Sequence, residues 1–407
     1  MNLLQLSHRL PWPPIDGGKK GTLGFVQGYR RHPATGHQSL LCMVPEEEEQ
    51  WARDWAPHGV DLMVDVRDFR NSVPRVLANT LFSAVPFNMA KYQQRSFAAL
   101  IDAAVGRQLP DVVHFDSLHT TWYGTQIRKL APGALRVLRC HNAEHVILER
   151  LAESESHPAK RALIALQARR LKGYEAAALD QFDLILAITE ADASRFRELN
   201  PRCDERMIVL PAGADVPDRL AAAPPLSDGV LRLVHVAAMD WLPNQTGLRW
   251  FLTNVVPLLD RAGLKFHLDV VGKNMPREFL EWRAESVTVH GFVENLSPIL
   301  EAAHLAVVPL WVGGGMRVKI LDYWAAGIPV VSTRVGAEGL YDAGAAAVEL
   351  ADSPEDFAAA ICRLGGSAEA REALRAAAFK KVSDHYGWKS LIDGLMTRYA
   401  RMRPSKP

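Results

Sequence analysis

Short apolar runs alternate with longer segments of helical periodicity along the whole chain. Six runs in the first half have the length and composition of strands: NLLQLSH, SLLCMV, VDLMVDV, DVVHFD, LRVLRCHN and LILAIT. Helical patterns lie between most of them, for example at residues 88–108 and 159–179. Apolar strands flanked by helices predict a parallel sheet that is covered on both faces. The chain is therefore expected to be a doubly wound α/β protein.

The alternation starts again after a segment rich in Pro, Ala and Gly, MIVLPAGADVPDRLAAAPPLSDG, which is typical of an interdomain linker. Six further strand-like runs follow: LRLVHVA, FHLDVVG, VTVHGF, AVVPL, IPVVST and AAVEL. A chain of 407 residues is also too long for one compact core. We predict a first domain at 1–210, a linker at 211–228, a second domain at 229–375 and a terminal helical segment at 376–407.

Composition excludes several classes of protein. The formal net charge of +1 gives no general attraction to nucleic acid, so no nucleic-acid partner is expected. Four scattered cysteines, Cys42, Cys140, Cys203 and Cys362, indicate reduced thiols, a cytoplasmic setting and no zinc site. No apolar run has the length of a signal peptide or a membrane span.

Three glycines, Gly313, Gly314 and Gly315, follow the strand-like run AVVPL directly, and a helical pattern begins at about Met316. Glycines at such a turn allow backbone amides to approach a ligand, and the helix N-terminus adds partial positive charge. Arg317 and Lys319 add full charges, so the loop suits a phosphate or diphosphate. Neither GxGxxG nor GxxxxGK[ST] is present, which disfavours the common dinucleotide and P-loop sites.

Asp322 lies three residues after Lys319, on the same face of the predicted helix. The spacing leaves two interpretations open. Asp322 could accept hydrogen bonds from ribose hydroxyls beyond a phosphate site, or it could form an ordinary surface ion pair with Lys319.

The segment PLWVGGGMRVKILDYWAAGIPVVSTRVGAEGL resembles the donor site of retaining GT-B glycosyltransferases of family four, the glycosyl transferases group 1, in their glycine-rich-loop branch. The resemblance continues through AAMDWLPNQTGLRWFLTNVVPLL, VVGKNMP, VHGFVENLSPILEAAHLAVVP, VLPAGAD, RCHNAEH and SHRLPWPPIDGGKKG, and so covers nearly the whole chain in order.

This resemblance implies a GT-B fold, in which two facing Rossmann-like domains enclose a cleft and the terminal helix crosses back to the N-terminal domain. The C-terminal domain would bind a nucleotide-diphosphate sugar, and the N-terminal domain a glycan, lipid-linked or small-molecule acceptor. The sugar would be transferred with retention, in glycan, polysaccharide or glycolipid assembly. No cofactor or metal is implied, and the sequence contains no Asp-x-Asp triplet.

Two departures from the family pattern concern the donor site. Family members often carry two glutamates at the positions of Gly314 and Asp322, so the ribose contact would depend on a shorter side chain here. In family members an arginine often follows the first strand of the donor domain. This chain has MDWLPN there, without an arginine, and we assign its last residue, Asn244, to donor binding. Lys273 either supplies the missing cation or is a solvated loop lysine.

Other loops after strands complete the expected site. By resemblance, Gly17 and Gly18 face the donor phosphates, and the backbone of Gly291 and Phe292 meets the base, although Phe292 could equally belong to the core. Asp116 and His119 are candidates for contacts to the sugar or acceptor. His141 and Asn142 are candidates for acceptor binding, with Asn142 as a simple helix N-cap before Glu144 as the alternative.

Three further alternatives stay open at this level. The basic helix at 159–179 either touches the inner face of a membrane peripherally or is an ordinary packed helix. A sugar-nucleotide 2-epimerase has the same paired-domain architecture. A sugar-nucleotide-binding relative without transfer activity would also accommodate the shortened Asp322 and the missing arginine.

Overall fold

The computed structural model describes residues 1–14, 16–55, 59–70, 72–226, 228–312, 316–340 and 347–403. The chain divides into two compact units. The first unit comprises Met1–Pro211 together with Leu391–Pro407, and the second comprises Ala212–Ser390.

Each unit contains one sheet, and the paired strands of both sheets are parallel. The strands of the first unit are β1 (Leu3–Ser7), β2 (Gln38–Pro45), β3 (Asp61–Arg67), β4 (Val112–Asp116), β5 (Leu135–Cys140), β6 (Leu184–Ala187) and β7 (Met207–Val209). Those of the second are β8 (Leu231–Val236), β9 (Phe266–Val271), β10 (Val287–Gly291), β11 (Leu305–Val308), β12 (Val330–Ser332) and β13 (Glu349–Leu350). The orders across the described sheets are β3-β2-β1-β4-β5-β6-β7 and β10-β9-β8-β11-β12-β13.

Helices connect most of the consecutive strands, because parallel pairing requires crossover connections. In the first unit they are α1 (Gly17–Arg31), α2 (Glu49–Arg53), α3 (Val73–Phe82), α4 (Phe87–Ala90), α5 (Arg95–Arg107), α6 (Gly124–Leu130), α7 (Glu144–Ser154), α8 (Pro158–Leu179) and α9 (Glu190–Leu199). The chain continues with α10 (Leu242–Trp250), α11 (Val256–Arg261), α12 (Arg277–Leu280), α13 (Ser297–Ala302), α14 (Val318–Ala325), α15 (Pro354–Gly366), α16 (Ala368–His385) and α17 (Trp388–Met402).

The strands are apolar on both faces because helices cover both sides of each sheet. Leu4 and Leu6 of β1 pack in one core cluster of the first unit, whereas Leu40 and Cys42 of β2 pack in another. Successive residues of a strand point to opposite faces, so continuous apolar runs fill both layers. The predicted pair of doubly wound α/β domains is confirmed.

Several local predictions were wrong at the ends of elements. Residues 207–209, which begin the Pro-, Ala- and Gly-rich segment but lie inside the predicted first domain, form β7, and residues 88–108 form two helices, α4 and α5, instead of one. The terminal helical segment predicted at 376–407 is interrupted between α16 and α17 at Tyr386 and Gly387, where Ala214 and Gly387 form a β-bridge. Periodicity does not reveal such breaks because the apolar residues on both sides still face a core.

The terminal helix α17 supplies buried groups to the first unit. The Tyr399 hydroxyl lies 2.8 Å from the Tyr29 hydroxyl, which is 2.8 Å from Nδ1 of His114 on β4. Arg403 forms an ion pair with Asp111. Within the described ranges, no helix is both long and apolar enough to cross a membrane.

Candidate functional site

In the second unit, two cations lie at the start of α14, which follows β11 in the chain. Arg317 occupies the N-cap position and Lys319 is in the first turn, so α14 begins two residues later than expected. The Tyr323 hydroxyl accepts a hydrogen bond from the Val236 amide at 2.8 Å and so ties α14 to β8. The predicted glycine loop, Gly313, Gly314 and Gly315, lies outside the described residues.

Lys319 contacts a neutral partner. Its ammonium group donates to the side-chain oxygen of Asn244 at 3.3 Å, and the Asn244 amide donates to the carbonyl of Ala238 at 2.7 Å. Among the described residues, no carboxylate lies within ion-pair distance of the ammonium group. Burial, and then the charge of Arg317, lower the pKa of Lys319 to about 7. Lys319 is therefore a buried cation whose described hydrogen-bond partner carries no compensating negative charge.

Arg317 lies in the same region of the unit. Its guanidinium is 5.6 Å from the ring centroid of Trp241, in the loop before α10. Burial lowers the pKa of Arg317, and the charge of Glu338 opposes this effect in part. Two neighbouring cations, each with a pKa lowered by burial, favour an anionic ligand at this position.

The remaining donor-site candidates lie at nearby strand ends or on α14. Asp322 is partly exposed in the second turn of α14. Lys273 follows β9, lies 4.0 Å from Asp240 and has a side chain that is 24% exposed, so both interpretations of this lysine stay predictions. Gly291 ends β10 at φ +69°, a conformation that favours glycine. Phe292 is 66% exposed, so its alternative assignment to the core is wrong.

In the first unit, Asp116 lies at the centre of a polar cluster at the carboxyl end of β4. The carboxylate is fully buried and accepts a hydrogen bond from Arg139 at 2.9 Å. His141 Nε2 lies 3.1 Å from the same oxygen. Burial alone would raise the pKa of Asp116, but Arg139 and then His141 outweigh it and hold that pKa well below its usual value. Asp116 therefore contributes a fixed negative charge that can orient His141.

His119 lies in a separate pair of stacked rings with His8, which follows β1. The two ring centroids are 4.4 Å apart, and the hydroxyl of Ser117 lies 2.8 Å from His8 Nδ1 and 3.3 Å from His119 Nδ1. Burial, followed by the charges of His141, Lys91 and Arg9, lowers the pKa of His119 to about 3. The His119 ring is therefore neutral at neutral pH.

The loop that carries His141 and Asn142 is fixed by Glu175 of α8. The Glu175 carboxylate accepts hydrogen bonds from the backbone amides of Glu144 and His145, at 3.1 and 3.4 Å, and contacts the His145 ring. The N-cap residue of α7 is Ala143, so the alternative of Asn142 as N-cap is wrong. Burial and the neighbouring Glu175 raise the pKa of Glu144 to about 7.

Gly17 and Gly18 are the first two residues of α1, whose N-cap is Asp16. Asp16 pairs with Arg9 at 3.2 Å, and a Cβ at position 18 would lie 1.7 Å from the Arg9 guanidinium. Gly18 therefore leaves room for Arg9.

The sequence reasoning missed His8, Arg9 and Arg139. His8 and Arg9 follow β1 directly, so the rule that singled out His119 and His141 after their strands would also have found them. Arg139 gave no signal, since a charge inside an apolar strand is visible only once its buried partner is known. The candidates fall into two groups, one in each unit.

In the described part of the chain, no group of three or more His, Cys, Asp or Glu side chains could hold a metal ion.

Comparison with known proteins identifies the family. The family model described as Glycosyl transferases group 1 matches residues 231–366, and the model described as Glycosyltransferase Family 4 matches residues 49–217. A search of curated proteins found no match.

Solved structures with a similar fold include HepE of Anabaena in complex with UDP, at a TM-score of 0.67 and 12% identity, covering 99% of this chain and 100% of that chain. A glycosyltransferase from Rickettsia africae also has a TM-score of 0.67 and 12% identity, covering 100% of this chain and 99% of that one. Sucrose-phosphate synthase from Thermosynechococcus elongatus has a TM-score of 0.65 and 13% identity, covering 99% of both chains.

The two parallel-sheet units match the GT-B architecture of these structures. The family models match most of both units, in the order expected for that architecture. The chain belongs to the glycosyltransferases of family four, the glycosyl transferases group 1.

Proposed function

We propose that the protein transfers a sugar from a nucleoside-diphosphate sugar to a hydroxyl acceptor, with retention of the anomeric configuration and without a metal ion. The observation that carries the proposal is Lys319, whose ammonium group lies beside Arg317 and contacts only the neutral Asn244 among the described residues. The Lys319 ammonium group gains an ionic partner when a diphosphate binds. HepE has been solved with UDP, which makes uridine nucleotides the first donors to test.

The second unit would bind the donor. Arg317 and Lys319 neutralise the charge that grows on the diphosphate as it leaves, which is the main requirement for catalysis of this transfer. Asp322, which is partly exposed, would accept hydrogen bonds from the ribose hydroxyls, and exposed Phe292 would contact the base.

The first unit would bind the acceptor. Nε2 of His141 lies against Asp116 and Arg139, which would leave Nδ1 of that ring to the acceptor. In the reaction, the bond between the anomeric carbon and the diphosphate oxygen breaks, and a bond to the acceptor oxygen forms on the same face. The acceptor proton passes to the leaving phosphate.

A panel of nucleotide sugars tests the proposal. The protein should release nucleoside diphosphate from one of them, by slow hydrolysis or by transfer to an added acceptor, at the same rate in EDTA. Formation of a C2 epimer would indicate the epimerase instead, and tight binding without release would indicate a non-catalytic relative. Activity that is lost in EDTA and restored by Mn²⁺ would contradict the metal-independent mechanism.

His141→Ala should lower transfer without weakening nucleotide binding, because His141 lies in the first unit. A neutral hydrogen bond is worth about 0.5–1.5 kcal/mol, so transfer should fall by roughly two- to tenfold. Steady-state kinetics and calorimetric titration with UDP measure the two effects. The control is His37→Ala, which removes a partly exposed imidazole that lies 3.3 Å from Asp61. Equal losses of transfer and UDP affinity would remove His141 from the acceptor site.

A further inference from the structure

Helix α3 presents its apolar side to solvent. Leu77 is 49% exposed, Leu81 is 73% exposed and Phe82 is 87% exposed. Pro74 and Ala78 are also exposed. The spacing of three and four residues places these side chains on one face of the helix, where a helix of a globular protein normally carries polar residues. We call this set the α3 stripe.

The outward orientation of the α3 stripe is fixed by contacts on the opposite side of the helix. The Thr80 carbonyl accepts a hydrogen bond from Arg170 of α8 at 2.9 Å, and the Thr80 hydroxyl accepts one from Gln167 at 3.0 Å. Asn79 donates to the carbonyl of Val85 at 3.1 Å. These polar contacts hold α3 against α8, so the apolar stripe cannot turn inward without breaking them.

Helix α8 adds positive charge next to α3. Its exposed or partly exposed cations are Lys160, Arg161, Arg169, Arg170 and Lys172. The helix contains one acidic residue, Glu175, which is buried and holds the start of α7. α3 adds exposed Arg75 and no acid. Lys172 lies 3.9 Å from Glu149 of α7, and Lys160 interacts with the carboxylate of Glu155, so the excess positive charge comes mainly from Arg161, Arg169 and Arg170.

We propose that the α3 stripe and the exposed cations of α8 dock on the surface of an anionic lipid bilayer. The apolar stripe would enter the interface between headgroups and acyl chains, and the long Lys and Arg side chains would reach the acidic headgroups. The charge complementarity favours lipid over a second copy of the chain, because two copies would bring like charges together.

The docked face is also connected to the acceptor side of the proposed site. Helix α4 follows α3, and the amide of its first residue, Phe87, donates to Gln167 of α8 at 2.9 Å. Tyr92 comes two residues after α4, and its ring packs edge-on against His8 and His119, with centroids 5.5 and 4.9 Å away. The helix that would contact the bilayer is therefore close in sequence to Tyr92, which packs against groups that could meet the headgroup of a lipid-linked acceptor.

Vesicle sedimentation with the full chain tests this proposal. The protein should bind vesicles of phosphatidylcholine with phosphatidylglycerol, and much less those of phosphatidylcholine alone, and binding should weaken as salt rises. Leu81→Ser/Phe82→Ser should reduce the bound fraction at least tenfold. Arg161→Glu/Arg169→Glu should remove the preference for the anionic vesicles. Leu109→Ser, which alters a leucine that is 59% exposed outside α3, should bind as the unmodified protein does.

Three results would overturn the proposal. The first is the absence of binding to anionic vesicles by the unmodified protein, and the second is equal binding by Leu81→Ser/Phe82→Ser. The third is a dimer in sedimentation velocity that Leu81→Ser/Phe82→Ser converts to a monomer, which would assign the stripe to self-association. The unmodified protein and Leu81→Ser/Phe82→Ser should hydrolyse a soluble nucleotide sugar at the same rate. A protein that binds vesicles but hydrolyses no donor would contradict the proposed function and leave the membrane proposal standing.

Discussion

Lys319→Ala is expected to weaken the binding of a nucleoside diphosphate by about ten- to 150-fold, since a charge-assisted hydrogen bond is worth roughly 1.5–3 kcal/mol. Turnover should fall further, because the charge on the leaving diphosphate grows in the transition state. Calorimetric titration with UDP measures the first effect, and single-turnover kinetics measures the second. Lys265→Ala, which removes an exposed ammonium from the same unit, is the matched control.

The pH dependence of UDP affinity gives an independent check. Burial and the charge of Arg317 place the pKa of Lys319 at about 7 in the free protein. A bound diphosphate stabilises the ammonium form and raises that pKa, so binding above pH 7 requires proton uptake. The affinity should therefore decrease as the pH rises above 7, and the slope should approach tenfold per pH unit.

Lys319→Ala should lack this part of the pH dependence. Asn244→Asp should also lack it, because a carboxylate against the ammonium group raises the pKa of Lys319 without a ligand. The same carboxylate repels the diphosphate, so Asn244→Asp should bind UDP weakly at every pH. If Lys319→Ala binds UDP as tightly as the unmodified protein and with the same pH profile, Lys319 does not bind the diphosphate.

The sequence predicts the two sheets because their signal is local. Each strand is a short apolar run between turn residues, and each run is buried on both faces, so the pattern needs no knowledge of distant partners. The cations of α14 were also predictable, since Arg317 and Lys319 follow a strand and three glycines within eleven residues of the chain. Asn244 was assigned to donor binding as well, and the structure adds its contact with Lys319, which lies 75 positions away and meets Asn244 only when α10 contacts α14.

The acceptor-side group was predicted less completely, because its chemistry depends on pairs distant in sequence. Asp116 and His141 were identified from their positions at and after strand ends, but Arg139, which sets the charge of Asp116, lies inside a strand and gave no signal in the sequence. The α3 stripe was missed for another reason. Its apolar spacing predicts a buried face, and only the tertiary contacts of Thr80 with α8 reveal that this face is exposed.

Arg139→Met should destabilise the first unit strongly, because it leaves the Asp116 carboxylate buried without its main cation. The two groups are 2.9 Å apart with side-chain exposures of 3% and 0%. Removing one partner of a buried ion pair costs about 3–5 kcal/mol. Urea denaturation at pH 7 measures the change. Arg53→Met is the control, because Arg53 lies the same 2.9 Å from Glu49 with exposures of 76% and 46%, and such pairs contribute only about 0.2–1 kcal/mol.

The destabilisation should depend on pH in a defined direction. In the unmodified protein the pKa of Asp116 is held well below its usual value. The ion pair between Asp116 and Arg139 therefore stabilises the fold above about pH 4, and this stabilisation is lost only as the pH falls through the lowered pKa. In Arg139→Met, burial dominates and raises the pKa of Asp116, so the folded variant takes up a proton on acidification. The gap in unfolding free energy between the two proteins should therefore narrow as the pH falls from 7 towards 4.

The double variant Arg139→Met/Asp116→Asn separates the charge from the packing. Neutralising the carboxylate removes the unpaired charge, so the double variant should be more stable than Arg139→Met alone and should lose the pH dependence of the gap. The Arg139 guanidinium also lies 4.7 Å from the ring centroid of Phe25, and the apolar Met side chain keeps much of that contact. If the double variant is no more stable than Arg139→Met, the loss comes from packing around Phe25, and Arg139 does not act by holding the charge of Asp116.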